Sequence, residues 1–356
     1  MKKALIIGCD RNDAIAQAQR EPFMYHKKSL RQKLNLNTEH IYTNNFAEIA
    51  QACQQQDSDV VFLLPNWRET PEVAEKAVKS IRENNPNRTL IFVDPFAQTS
   101  TRYFNLLPYV DRFLKRQCLA DLEEYDLKSI GGSTFTEFVA RQWQADFSNW
   151  SIDSKIPDGY QDRISSGWNL GTAKKYRQQL QKPKFWSRNY KKEIDVFCRL
   201  SLGSNKKKEW YCEYRQASVK ALEPLDRDYK LAVSGRFIED GLIPSRQYLR
   251  EIKSSRLVFS PFGWGENCWR DFEAICYDCL LIKPSMSHID TKPNIFIPEE
   301  TYVPVKWDFS DLEEKCRYYL ERPEEAQKIV ENARRVYKNY FEHQEFVETI
   351  ERIIAK

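Results

Sequence analysis

Short, almost unbroken aliphatic runs separated by long polar stretches constrain this chain more than any other feature. They are Ala4–Ile7, Val60–Leu64 and Thr89–Val93 in the first half, then Ile194–Arg199, Lys230–Ser234, Leu257–Ser260 and Leu280–Ile282 in the second. A strand that is apolar on both alternating faces has to be covered on both sides, as parallel strands flanked by helices are. The helix-length polar stretches between the runs supply that cover, so an α/β chain with mostly parallel sheets is predicted. The first-half runs end at Gly8-Cys9-Asp10, Pro65-Asn66-Trp67 and Asp94-Pro95. In open parallel sheets, ligands bind at the loops after such carboxyl ends. Arg112–Gln117 reads as a late edge strand of the same domain.

A chain of 356 residues has room for two domains with separate cores. From about residue 131 to 190 the pattern loosens into Gly131-Gly132-Ser133, Ile156-Pro157-Asp158-Gly159 and a Lys/Arg/Gln-rich stretch. We therefore expect a Rossmann-like domain over 1–150, a connection over 151–190, a second Rossmann-like domain over 191–340 and a terminal helix, 341–356, packing back on the first domain. After Asp311, apolar Ile329, Ala333, Val336 and Tyr340 at helical spacing predict two consecutive helices, broken near Pro323.

The balance of 55 basic and 51 acidic residues excludes a general nucleic-acid or membrane binder, so any anion site is local. No stretch approaches the roughly 20 apolar residues of a membrane span. The apolar run near the N-terminus stops at Asp10, too short for an export signal, so a cytoplasmic location is expected. Nine scattered cysteines then read as reduced thiols. Cys276-Tyr277-Asp278-Cys279 has no second pair to complete a metal site and fits a helix running into a buried strand.

The chemistry concentrates in Ser255–Ala274, a strand, the loop Ser260-Pro261-Phe262-Gly263-Trp264-Gly265, and a helix start. Glycines let backbone N–H groups approach a phosphate, and the positive end of the following helix points to the same place. Arg270 would add a two-point contact to phosphate oxygens. Glu273, three residues on, can accept from the two hydroxyls of a ribose. The same spacing also suits an i,i+3 surface pair beside an ordinary turn.

This segment resembles the donor site of exostosin-type and CgeB-like glycosyltransferases: a strand ending in Ser-Pro, a glycine loop, Arg270-x-x-Glu273-Ala274, and the strand before Pro284. Tyr302-Val303-Pro304-Val305, Asp308–Leu312 and Pro323-Glu324-Glu325-Ala326 extend the resemblance over roughly 190–345. It implies a GT-B fold, two Rossmann-like domains facing across a cleft, with the donor held by the second domain and the acceptor on the first. It further implies Arg270 on the diphosphate, Glu273 on the ribose, and Gly263 and Gly265 beside the phosphates. Arg199 and Arg236, after the first two strands of the second domain, become further phosphate or base contacts, and His288 a contact for the sugar or acceptor. Glu266 and Glu273 stand seven apart, where many GT-B enzymes have glutamates eight apart.

The expected reaction moves a sugar from a nucleoside-diphosphate sugar, UDP-linked, to an acceptor hydroxyl. No cofactor and no metal are expected, since no Asp-x-Asp motif sits at a strand end, and inversion is slightly favoured. Asp10 and Asp13 are candidate bases, with helix capping the competing role. Phe185-Trp186, Trp168, Trp210 and Tyr211 read either as a sugar-stacking platform or as core. The donor and an unknown acceptor are the expected partners, with no nucleic acid and no membrane span. A non-catalytic sugar- or nucleotide-binding protein and an epimerase acting on the donor alone share the pattern.

Overall fold

The computed structural model describes residues 1–8, 13–148, 150–182, 191–206 and 209–355. Its first sheet is built from β1 (Lys2–Ile7), β2 (Leu36–Ile41), β3 (Val60–Leu63), β4 (Thr89–Val93), β5 (Arg112–Lys115) and β7 (Ile164–Ser166). They run in the order β2-β1-β3-β4-β5-β7, every neighbouring pair parallel. The second sheet is β13-β11-β10-β8-β9, again all parallel, from β8 (Ile194–Gly203), β9 (Leu231–Phe237), β10 (Ser255–Phe259), β11 (Leu280–Pro284) and β13 (Val303–Val305). All four residues of β3 are buried, as are the last four of β1 and of β4, which is why their sequences carry no polar alternation.

The sheet differs from expectation at its margins. Arg112–Gln117 was expected at the edge, but β7 lies outside β5, and β5 ends at Lys115. There the Lys115 ammonium, with no exposed surface, pairs with buried Asp94 and donates to the carbonyls of Gln98 (3.0 Å) and Ser100 (2.7 Å). This network fixes the loop after β4. The segment read as a connection over 151–190 thus contributes a sixth strand to the first sheet.

Beyond Lys115 the chain forms β6 (Cys118–Leu119), which pairs antiparallel with β12 (Ile289–Asp290) from the second domain. Thr291 Oγ1 donates to the Arg116 carbonyl at 2.7 Å, and the Asn169 N–H to the Lys292 carbonyl at 2.7 Å. The domains are joined by backbone hydrogen bonds as well as by side-chain packing.

The tail forms three helices, not two: Leu312–Glu321, Pro323–Glu342 and Glu345–Ile354. Pro323 opens the second, where a missing N–H costs nothing. The extra break falls at Gln344, in the left-handed region (φ 59°), with no glycine or proline to mark it in the sequence. The last helix lies on the first domain, Phe346 meeting Phe23 and Trp168 edge-on at 5.1 Å each. No helix among the described residues is long and apolar enough to cross a membrane.

His26 stacks on Phe346 at 5.7 Å, and burial lowers its pKa to about 4; burial does the same to His40 in β2. Both folded-state values lie below the ordinary 6.5, so between these limits the unfolded chain binds more protons than the folded one. The stabilising contribution is complete above pH 6.5 and is lost as pH falls towards 4. Thermal melts across this window should show a falling midpoint, with a shallower fall in His26→Gln.

Candidate active site between the two sheets

Three connected cavities run along the seam between the domains. One, about 650 Å³, lies between helix Ala14–Tyr25 of the first domain and helix Trp269–Cys276 of the second. Gln17, Glu21, Lys175, Tyr248, Arg270 and Glu273 line it. It shares Cys268 and Trp269 with an inner slot of about 150 Å³, which is bordered by Arg215, Gly263, Gly265 and Asn267. That slot shares Ile15, Ala97, Arg116 and Trp264 with a third of about 60 Å³ at the carboxyl ends of β3 and β4.

The mouth of helix Trp269–Cys276 is fixed from below. Asp271, fully buried, accepts from Ser260 Oγ at 2.5 Å and from the Cys268 N–H at 2.9 Å, and Lys283 Nζ stands 3.1 Å away, also fully buried. A charge pair with no exposure is tolerable only when hydrogen bonds satisfy its remaining valences, as Ser260 and the Cys268 amide do here. The amides of Trp269 and Arg270 open the helix and have no acceptor within it.

Arg270 is half-buried in the large cavity. Its Nη2 donates to the Arg199 carbonyl at 2.7 Å, which orients the guanidinium before any ligand arrives. Glu273 faces the same cavity; its Oε2 accepts from the Tyr248 hydroxyl at 2.9 Å and its Oε1 lies 3.3 Å from Lys175 Nζ. The two residues read from helical spacing are therefore together, each held by a partner distant in sequence.

Other expected residues lie elsewhere. The Arg199 guanidinium is closed onto Glu251 by two contacts of 2.8 and 3.0 Å and donates to the Val233 carbonyl, so only its backbone oxygen serves the cleft. Arg236 is exposed on edge strand β9 and lines none of the three cavities. A Cβ on Gly265 would stand 2.0 Å from the Ala97 carbonyl oxygen, and one on Gly263 would stand 2.3 Å from Arg215 Nη2. Gly265 thus makes room for the first domain, and Gly263 for an arginine. His288 sits edge-on to Trp307 at 4.9 Å, its Nε2 3.9 Å from fully buried Glu266. Neither Glu266 oxygen nor His288 Nε2 has a hydrogen-bond partner among the described residues.

Asp13 caps helix Ala14–Tyr25, its Oδ1 accepting from the Ile15 and Ala16 amides at 2.8 and 3.0 Å, and it borders the small slot. Asp10 and Phe185-Trp186 lie outside the described residues. Trp168 and Trp210 are core, 0% and 5% exposed, and Tyr211 packs against Trp210, so these are no stacking platform. Cys276 and Cys279 are buried too, the Cys279 thiol donating to the Ile252 carbonyl at 3.2 Å.

No motif or spacing marks Arg215, from helix Cys212–Lys220, as a site residue. It stacks over the Tyr211 ring at 4.4 Å, donates to the Ser201 carbonyl and reaches the inner slot. Burial, together with the positive charge of Arg270, pushes its pKa down. Two guanidinium groups reaching adjoining cavities beside one helix opening make a site that gains by taking up an anion.

A family model described as "Glycosyl transferase-like" matches residues 215–352, most of the second domain. No curated protein sequence matches significantly. Among solved structures, a glycosyltransferase from Rickettsia africae ESF-5 is similar over 99% of this chain and 97% of its own, at 12% identity and a TM-score of 0.51. A point mutant of S. aureus TarM, solved with fondaparinux, alpha-GlcNAc-glycerol and UDP, is similar over 87% of this chain and 59% of its own, at 8% identity and a TM-score of 0.50. At these identities the likeness is one of fold, and the fold is GT-B: two Rossmann-like domains around a cleft. With the family match over the second domain, the chain is a transferase of the glycosyltransferase kind.

Proposed function

We propose that this chain transfers a sugar from a nucleoside-diphosphate sugar, with UDP as the nucleotide, to an acceptor hydroxyl, in the cytoplasm. The observation that carries the reading is the convergence of Arg270, Arg215 and Glu273 around one helix N-terminus in the interdomain cleft. The exostosin- and CgeB-like pattern Arg270-x-x-Glu273-Ala274 supports the same assignment.

On this reading the diphosphate lies against the Trp269 and Arg270 amides and the two guanidinium groups, while Glu273 exchanges Lys175 for the ribose hydroxyls. The acceptor oxygen attacks the anomeric carbon from the face opposite the leaving group. The bond from that carbon to the phosphate oxygen breaks, its electron pair leaves with UDP, and the hydroxyl proton passes to a carboxylate. Asp13, at the edge of the small slot, is the described candidate for this base, and the configuration inverts. Fixed donors aimed at the departing diphosphate stabilise its growing charge without a metal ion.

The test is calorimetry of the purified chain with UDP, GDP, ADP and their sugars in EDTA. Saturable UDP binding, followed by release of UDP from a UDP-sugar in the same buffer, is the expected outcome. Binding by none of the nucleotides defeats the reading, and turnover that returns only with added divalent metal defeats its metal-independent part.

A further inference from the structure

Charge is unevenly spread over this chain. Residues 27–33 and 174–182 carry eight Lys and Arg and no Asp or Glu, against an excess of four for the whole chain, so the remainder is net acidic. We infer that the two helices they form, Lys27–Leu34 and Lys174–Gln181, make a docking face beside the cleft for a flexible chain of phosphodiesters. The helices adjoin: Arg177 stacks over Tyr25 at 4.8 Å, and the charges of Arg177 and Lys33 both bear on His26, which precedes Lys27. At the other end the Lys174 N–H donates to Glu21 at 2.6 Å, and Glu21 and Lys175 line the cavity of about 650 Å³. The face therefore starts at the mouth of the cleft and runs outward over the first domain.

Helix stability does not account for these positions. Lys27, Lys28, Lys174 and Lys175 open their helices, where the dipole disfavours cations, and neither first turn holds an acid. The three tail helices do the opposite, each with two glutamates in its first turn. Of the eight cations only Lys175 is ion-paired among the described residues, with Glu273, whereas Lys315, Arg317 and Lys338 of the tail each meet a carboxylate. Cations set against a helix field, with no acid in their own segments, favour an anion from outside.

The same surface limits what that anion can be. Apart from Met24, no large hydrophobic among the described residues of 20–34 and 174–182 is exposed, so the face offers neither the apolar anchor of a protein interface nor a wedge for a bilayer. Six of the eight are lysines, point charges that suit a phosphate approached from many directions better than a planar carboxylate, which matches the fork of arginine. A row of such charges gains by releasing counterions from a phosphate chain.

The test is fluorescence anisotropy with labelled poly(glycerol phosphate) and a labelled single-stranded oligonucleotide at graded salt, for wild type and Lys27→Glu/Lys28→Glu. Polyglutamate and phosphatidylglycerol vesicles run in parallel, and UDP affinity and the melting midpoint report on the donor site and on folding. At least one phosphodiester chain should bind, with a log–log salt slope of about −3 or steeper, and the double variant should bind it about 10-fold more weakly with UDP affinity unchanged. Which of the two chains binds identifies the source of the phosphates. Normal UDP binding with neither chain bound overturns the inference and spares the transferase. Chain binding indifferent to Lys27→Glu/Lys28→Glu, polyglutamate bound as tightly, or vesicles bound in preference also overturns it. Chain binding without UDP binding keeps the docking face and removes the donor reading. Should the double variant not fold, Arg31→Glu and Lys182→Glu must each weaken chain binding for the inference to stand.

Discussion

Replacing Arg270 by alanine is expected to lower the rate of transfer at saturating donor by about 100- to 1000-fold, the scale seen when a preorganised donor to a developing charge is removed. The guanidinium is held by Nη2 to the Arg199 carbonyl at 2.7 Å and by Nη1 to Ser260 Oγ at 3.4 Å, and stands at the opening of helix Trp269–Cys276. Its remaining N–H groups need no reorganisation when the diphosphate departs. Arg270→Lys should recover only part of the loss, because an ammonium is a point charge without the planar fork. Rate measurements with a UDP-sugar, with calorimetry of UDP on each variant, check this. An unchanged rate in Arg270→Ala would move the leaving-group role to Arg215.

Asp271→Ala should cost the most stability of any single change at the site, about 3–5 kcal/mol, because it leaves Lys283 buried and uncompensated. Both side chains have no exposed surface, and Asp271 is also the acceptor for Ser260 Oγ and the Cys268 amide. The melting midpoint should fall on the order of 10 °C. In Asp271→Ala/Lys283→Met no charge is left stranded, and much of the loss should return. Thermal melts of wild type, both single variants and the double variant decide the matter. An additive double variant would mean that the two groups act independently.

Most strands legible in the sequence are those whose environment is uniform; β9, an edge strand with only Ala232 buried, was read from Lys230–Ser234 as well. β1, β3, β4, β10 and β11 are buried along most of their length and read as aliphatic runs. β2, Leu-Asn-Thr-Glu-His-Ile, is an edge strand with only Leu36 and Thr38 buried, so its sequence looks like a loop. β7 is three residues long, and β6 and β12 two each, too short for any period to register. Within the site, Arg270 and Glu273 were legible because one helix turn joins them. Arg199 was misplaced because its partner Glu251 lies 52 residues away. Arg215 was missed because its reach into the cleft depends on how a helix and a glycine loop come together. Gly265 looked like a phosphate glycine for the same reason: the group it makes room for, the Ala97 carbonyl, belongs to the other domain.

The β6–β12 ladder bears on how such a protein can be recombined. Each half contributes one strand of that ladder, and Gln117 adds a clasp, its Oε1 accepting from the Asn267 amide at 3.0 Å while its Nε2 donates to the Ala97 carbonyl. A chimaera that takes its first half from another parent inherits only one side of the ladder and of the Gln117–Asn267 bond. Grafting a foreign first half onto this second half therefore requires matched replacement of 116–119 and 288–292 as a unit. A seam chosen only from the linker between the halves would leave a register mismatch in the wall of the cleft itself.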